Sequence, residues 1–369
     1  MSARRIKLPF KIRKPILACG ADLKGAFALA EMGEAILYEG FGDLGNLENF
    51  EEYESAVRSA IRQNGIRPAV IICDMHPDYY STRFAESFAQ SPGGKRPKIK
   101  NVRLRRIQHH EAHIASAIID GRITGDVIGI AFDGMGYGAD GNIWGGEFFV
   151  GGLKGFKRTA HLDYIPMPGG DAAVREPWRM AESYIYSATK KCGDPIIKKM
   201  IDQKVNSPLT SSAGRLFDAV GSMVLGKRTA RFEAELPIEL EKLAAADSDD
   251  TYDFVINNRN SIILSCAPII RGIACDIKKG VSKADVSAKF HNTVARMISD
   301  TVEIIGKKTG LKKAVFSGGV FQNQYLTGRA SEALKRKGFL VFTHSSVNTN
   351  DAGIPIGQIA IAEKGYICV

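Results

Sequence analysis

The chain has 369 residues, 44% of them hydrophobic and 24% charged, with a net charge of +10. That composition predicts a soluble globular protein of one large two-lobed domain or two domains, and no apolar run approaches the roughly 20 residues that span a bilayer. The six cysteines (Cys19, Cys73, Cys192, Cys266, Cys275, Cys368) are scattered without a CxxC pair, which argues against a disulfide frame or a zinc knuckle and for reduced thiols in the cytoplasm. The basic segment Met1–Lys14 lacks the apolar stretch of a secretory signal.

In chain order, Ile16–Cys19 reads as a buried strand running into Gly20-Ala21-Asp22, and Glu48–Asn64 as a helix stopped by Gly65. Val70–Cys73 is a second strand, continued by Asp74-Met75-His76-Pro77-Asp78-Tyr79, whose His76 and Asp78 are candidate substrate contacts. Lys95 to Arg106 gathers Lys95, Arg96, Lys98, Lys100, Arg103, Arg105 and Arg106 without an aromatic residue. Stacking on bases has no support there, so a solvated loop and a charged edge strand are expected rather than a nucleic-acid surface.

Next comes Gln108-His109-His110-Glu111-Ala112-His113. On a helix, His109 and His113 share one face, where two neutral imidazoles can hold one zinc or iron ion. Buried or surface histidines would give the same spacing. His110 and Glu111 point off that face. The strand Val127–Phe132 then ends at Asp133-Gly134-Met135-Gly136, where Asp133 is either a metal or magnesium–phosphate ligand or a turn-forming aspartate. A hairpin at Ala139-Asp140-Gly141-Asn142 leads into the strand Ile143–Val150.

In Pro168 to Arg179, Arg175 and Arg179 can clamp a carboxylate or phosphate; a turn and a capped helix account for the same residues. Lys283–Lys308 is the longest helix, with apolar residues stepping by three and four. The strand Ala314–Phe316 runs into Ser317-Gly318-Gly319 and a helix start, a geometry that favours phosphate. After the strand Leu340–Phe342, Asp351 precedes a C-terminal helix as either a ligand or an N-cap. Strands alternating with helices predict an α/β fold. Three strand-then-glycine turns suggest two related lobes facing across a cleft, with a helical insertion at about 171–310 in the second.

Read together, the strings GADLKGAF, CDMHPDYYSTRFA, IQHHEAHIASA, IAFDGMGYGADGNIWGGEFF, PMPGGDAAVREPWRMA, SSAGRLFDAVGSMVLG and SGGVFQN resemble the C-terminal carbamoyltransferase module of the HypF family, which is similar to the TsaD family. The resemblance runs from about Lys14 to Gln358. It implies an actin-like ATPase fold (shared with sugar kinases and Hsp70): a linker-like segment at 1–14, a first lobe at 15–126, and a second lobe at 127–369 whose C-terminal helix packs back on the first.

It also implies that His109, His113, Asp133 and Asp351 hold a divalent metal, with the first three catalytic. Lys24, Gly134, Asp218, Glu233, Gly318, Gly319 and Asn323 would cradle an adenine nucleotide. The implied reaction moves a carbamoyl group from carbamoyl adenylate to the C-terminal cysteine of HypE, in making the cyanide ligands of NiFe hydrogenase. Only the transferase module is matched, so a separate YrdC-like protein is expected to supply the adenylate. Two positions depart from the family pattern. Glu233-Ala234-Glu235 stands for Glu-Gly-Gln and Asp351-Ala352-Gly353 for Asp-Gly-Gly; Ala234 adds a Cβ beside the expected nucleotide. The alternatives are a TsaD-like tRNA or small-molecule O-carbamoyltransferase, and a non-catalytic binding paralogue.

Overall fold

The computed structural model describes residues 2–90, 102–245, 247–258 and 261–364. The first lobe is built on β1 (Ser2–Ala18), β2 (Ala26–Glu39), β3 (Val70–Asp74) and β4 (Arg103–Ile107), in the order β2-β1-β3-β4. β1 and β2 form an antiparallel hairpin, and β3 and β4 add in parallel. The parallel joins require crossovers, supplied by α1 (Leu47–Asn64) and α2 (Tyr80–Gln90). α1 starts at Asn46, whose side chain caps it, and ends at Gly65 in the left-handed region, as the sequence predicts.

Alternation along β1 and β3 sorts the core. Leu17, Cys19, Ile71 and Cys73 pack with α1 and α2, while Ile16, Ala18 and Ile72 pack on the opposite face. That opposite face is covered by α3 (His109–Asp120) and by the C-terminal helix Ile354–Lys364, which lies against β1, β2 and α3.

The second lobe repeats the plan. β5 (Val127–Tyr137), β6 (Ile143–Gly152) and β7 (Gly155–Leu162) form an antiparallel meander; the strands Lys313–Ser317 and Leu340–Phe342 extend it in parallel beyond β5. One face, with Ile128, Ile130, Phe132 and Phe148, packs on the insertion helices. The other, with Val127, Ala131 and Phe149, packs on Ile114 and Ile118 of α3. α3 is therefore the wall shared by both lobes, which is why it is buried nearly all round. The fold is the two-lobed α/β arrangement expected of an actin-like ATPase. Its second-lobe insertion is mainly helical but also contributes the strands Val255–Asn258 and Ile262–Ser265, which lengthen the sheet at β7.

Two expectations change. Residues 2–14, read as a linker, belong to β1: they pair with β2 out to Glu39, and Ile6, Leu8, Phe10 and Ile12 pack on the first-lobe core. Asp133 does not end its strand: β5 continues to Tyr137, with a break in register between Phe132 and Gly136. Of the basic run, residues 95–101 lie outside the described residues. The rest forms the charged edge strand β4, as expected, where Arg105 donates to the Ala362 carbonyl and Arg106 pairs with Glu86. Cys368 also lies outside. No helix among the described residues is long and apolar enough to cross a membrane.

Candidate metal and nucleotide site

The N-cap Gln108 accepts the Glu111 N–H through its side chain and so starts α3 with His109 and His113 on successive turns. Both are buried, as are Asp133 on β5 and Asp351 in the short turn before the C-terminal helix. The four ligand atoms lie within 4.8 Å of one another. His109 Nε2 is 3.4 Å from Asp133 Oδ2 and 3.8 Å from Asp351 Oδ1; His113 Nε2 is 3.7 Å and 3.4 Å from the same oxygens. Neither Nε2 has a hydrogen-bond partner among the described residues, and Asp351 Oδ2 has none. Buried nitrogens aimed at carboxylates but held too far apart to bond to them fit a shared cation. Two imidazoles and two carboxylates suit iron or zinc better than magnesium, which favours all-oxygen surroundings.

Two of the ligands, His109 and Asp133, are held from behind. His109 Nδ1 meets Asp74 Oδ2 at 2.8 Å, which turns Nε2 inward, and Asp74 Oδ1 accepts the His76 N–H. Asp133 Oδ1 accepts the Gly319 N–H at 2.8 Å, leaving Oδ2 to the histidines. The cap of the turn at 351 is Asn350, whose side chain accepts the Ala352 N–H, so the Asp351 carboxylate is left for the cluster. At Gly357 a Cβ would fall 1.8 Å from the Ala112 carbonyl oxygen. Only glycine lets the C-terminal helix approach α3 closely enough to bring Asp351 to His113.

Burial works to lower the His109 pKa, but Asp74, Asp351 and Asp133 outweigh it and hold it well above the ordinary histidine value. His113 is raised in the same way, against burial, by Asp133 and Asp351. His110 goes the other way, pushed well down by burial and by His109, and stands outside the cluster.

Next to the cluster, a cavity of about 400 Å³ is lined by Lys24, Gly134, Asp218, Glu233, Gly319 and Asn323, with Asp133 and Asp351 in its wall. Gly318 does not line it. Its φ is +100°, and a Cβ there would meet the Phe132 carbonyl at 2.2 Å, so this glycine seats the loop against β5. The Asn323 side chain is engaged: Oδ1 caps the helix Gln324–Arg336, and Nδ2 donates to His291 Nε2. Lys24 Nζ lies 2.8 Å from Glu233 Oε2, tying the two lobes across the cleft. Burial pushes the Asp218 carboxyl up to about 6, against the pull of Arg215 beside it. Ala234 adopts φ 61° and lines the cavity, so the departure noted in the sequence sits in a left-handed position that favours glycine.

A second cavity of about 820 Å³ adjoins the first and is lined by His76, Asp78 and Arg175. Arg179 lines neither cavity; it pairs with Glu176 and packs beside Trp178. Two residues escaped the sequence reading. Asp74 sits in a quoted string, but its partner lies 35 positions on. Arg215, in the string around Asp218, lines both cavities. A charged residue in a largely apolar helix, as at Arg215, was the available signal.

Residues 11–120 match the family model described as HypF Kae1-like domain, and residues 129–358 the one described as Carbamoyltransferase, Kae1-like Domain, second subdomain. Carbamoyltransferase HypF2 of Cupriavidus necator is 31% identical over 94% of this chain and 46% of its own length. A shorter protein of the same organism, named carbamoyltransferase HypF homolog, is 31% identical over 95% of this chain and 92% of its own. A crystal structure of full-length HypF in a phosphate- and nucleotide-bound form superposes with a TM-score of 0.91 and 38% identity, covering 98% of this chain and 57% of that one. The chain thus spans about half the length of most of the curated relatives it matches.

Proposed function

The chain belongs to the HypF carbamoyltransferase family, and from that premise we propose that it transfers a carbamoyl group from carbamoyl adenylate to the C-terminal cysteine thiolate of a HypE-type acceptor. The observation that carries this reading is the shared wall. Asp133 and Asp351 belong to the four-residue metal cluster and also line the cavity that holds the expected nucleotide residues. A reacting carbonyl bound there lies within reach of both.

His109, His113, Asp133 and Asp351 would hold the metal, iron or zinc, which when bound supplies Lewis-acid polarisation of a carbonyl or phosphoryl oxygen. Gly134 leaves open space beside Arg215 and Glu233, since a Cβ there would come no closer than 3.9 Å to either. The adjoining larger cavity, with His76, Asp78 and Arg175, is the route for the acceptor. In the transfer, the thiolate supplies the electron pair for a new C–S bond. The C–O bond to the phosphate breaks, and AMP leaves with that pair as its phosphate oxyanion. The adenylate would come from a separate YrdC-like protein. The described cysteines are free, in keeping with a cytoplasmic setting.

The test is to give the metal-loaded chain carbamoyl adenylate and a HypE-type acceptor, then measure the acceptor by mass spectrometry. A gain of one carbamoyl group on its terminal cysteine, lost with His109→Ala, is expected. An unmodified acceptor would sink the proposal.

A further inference from the structure

Arg215 sits on the helix Ala213–Leu225 and is 3% exposed. Its Nη2 pairs with Asp218 Oδ2 at 2.8 Å. Its Nε and Nη1 are buried and have no hydrogen-bond partner among the described residues. A guanidinium taken out of water is tolerated when its donors are matched, and unmatched ones carry the full desolvation cost. An ion pair with Asp218 alone matches one nitrogen and leaves two. Arg215 therefore has donors to spare.

The Arg215 side chain stands where the two cavities meet. Leu23, Lys24, Gly134, Arg215 and Glu233 line both the smaller and the larger cavity, so they mark the junction between them. The family resemblance put Lys24 among the nucleotide residues, but its ammonium already bonds Glu233 at 2.8 Å. Of the two cations at this junction, Arg215 is the one whose unmatched N–H groups are buried, since the Lys24 side chain is half-exposed.

We propose that Arg215 binds the phosphate of the adenine nucleotide at the junction of the two cavities, where the group to be transferred meets its acceptor. This rests on the nucleotide reading above and adds to it the residue that recognises the anion. A planar guanidinium suits phosphate oxygens, and its fixed charge stays in place as negative charge builds on the leaving phosphate.

The test compares AMP with adenosine by calorimetry on the full chain. Arg215→Gln leaves Asp218 buried without its cation, so the double variant Arg215→Gln/Asp218→Asn, which neutralises both partners, is measured beside it. Loss of a charged hydrogen bond weakens AMP binding about 10- to 100-fold. In both variants the preference for AMP over adenosine is expected to fall by that factor, whatever happens to adenosine itself. An unchanged preference in the double variant overturns the role of Arg215 and leaves the nucleotide reading intact. A wild-type chain that binds neither AMP nor ATP overturns both.

Discussion

Asp74 Oδ2 and His109 Nδ1 lie 2.8 Å apart, and both residues are fully buried. The contact joins the end of β3 to the start of α3, so the sheet of the first lobe fixes the rotation of an imidazole whose other nitrogen points at the second lobe. A buried carboxylate here orients the ring and makes Nε2 a better donor to a cation.

Removing that support should weaken metal binding without removing a ligand. Asp74→Ala is expected to lower zinc affinity about 10- to 100-fold. Asp74→Asn, which still accepts from Nδ1 but lacks the charge, is expected to lower it less. Zinc titrations followed by calorimetry order the three proteins; equal affinities would show that His109 needs no help from behind.

Metal should also stabilise the fold, because the four ligands come from α3, β5 and the turn before the C-terminal helix. At a free-metal concentration 100 times its dissociation constant the gain is about 2.7 kcal/mol. Chelation should lower the melting temperature of the wild type and leave that of His113→Ala unchanged. A wild type that melts alike with and without chelator argues that these four residues hold no ion.

Gly357 is where packing and site meet. A methyl group at this position collides with the Ala112 carbonyl, backbone that cannot move aside without shifting α3. Gly357→Ala should cost about 1–3 kcal/mol of stability and weaken metal binding as well, since Asp351 rides on the displaced segment. Denaturant melts read the first effect and metal titration the second. Lost stability with full metal affinity would mean that Asp351 reaches the cluster independently of the helix.

Much of this architecture was legible in local pattern. Ile16, Leu17, Ala18 and Cys19 alternate between two cores as a strand buried on both faces must. The spacing of His109 and His113 put them on one helical face before any fold was known. What resisted reading was set by distant partners. Asp351 suited a cap or a ligand equally, and only the side chain of Asn350, which takes the capping bond, decides between them. Asp74 carries no mark of its role, because its partner depends on where β3 ends relative to α3. Gly318 and Asn323 follow the nucleotide pattern in sequence. In space, Gly318 seats a loop and the side chain of Asn323 caps a helix. In residues 2–14, Ile6, Leu8, Phe10 and Ile12 alternate as in a strand and pack on the first-lobe core, but the basic residues around them hid the pattern.

His291 supplies a pH test away from the metal cluster. Its Nδ1 lies 2.8 Å from the Ser287 carbonyl, and its Nε2 accepts from Asn323, so the neutral ring is the one that fits. Burial brings its pKa down to about 4. Between that value and the ordinary histidine pKa near 6.5, the unfolded chain binds a proton that the folded chain refuses. Stability from this residue is therefore complete above pH 6.5 and lost as pH falls toward 4, by about 3 kcal/mol in all. His291→Gln should be less stable than the wild type at pH 7, and the gap should narrow as the solution is acidified. Urea denaturation of both proteins at pH 7, 6 and 5 measures the gap directly. A gap that stays constant would mean that His291 titrates alike in the folded and unfolded chain.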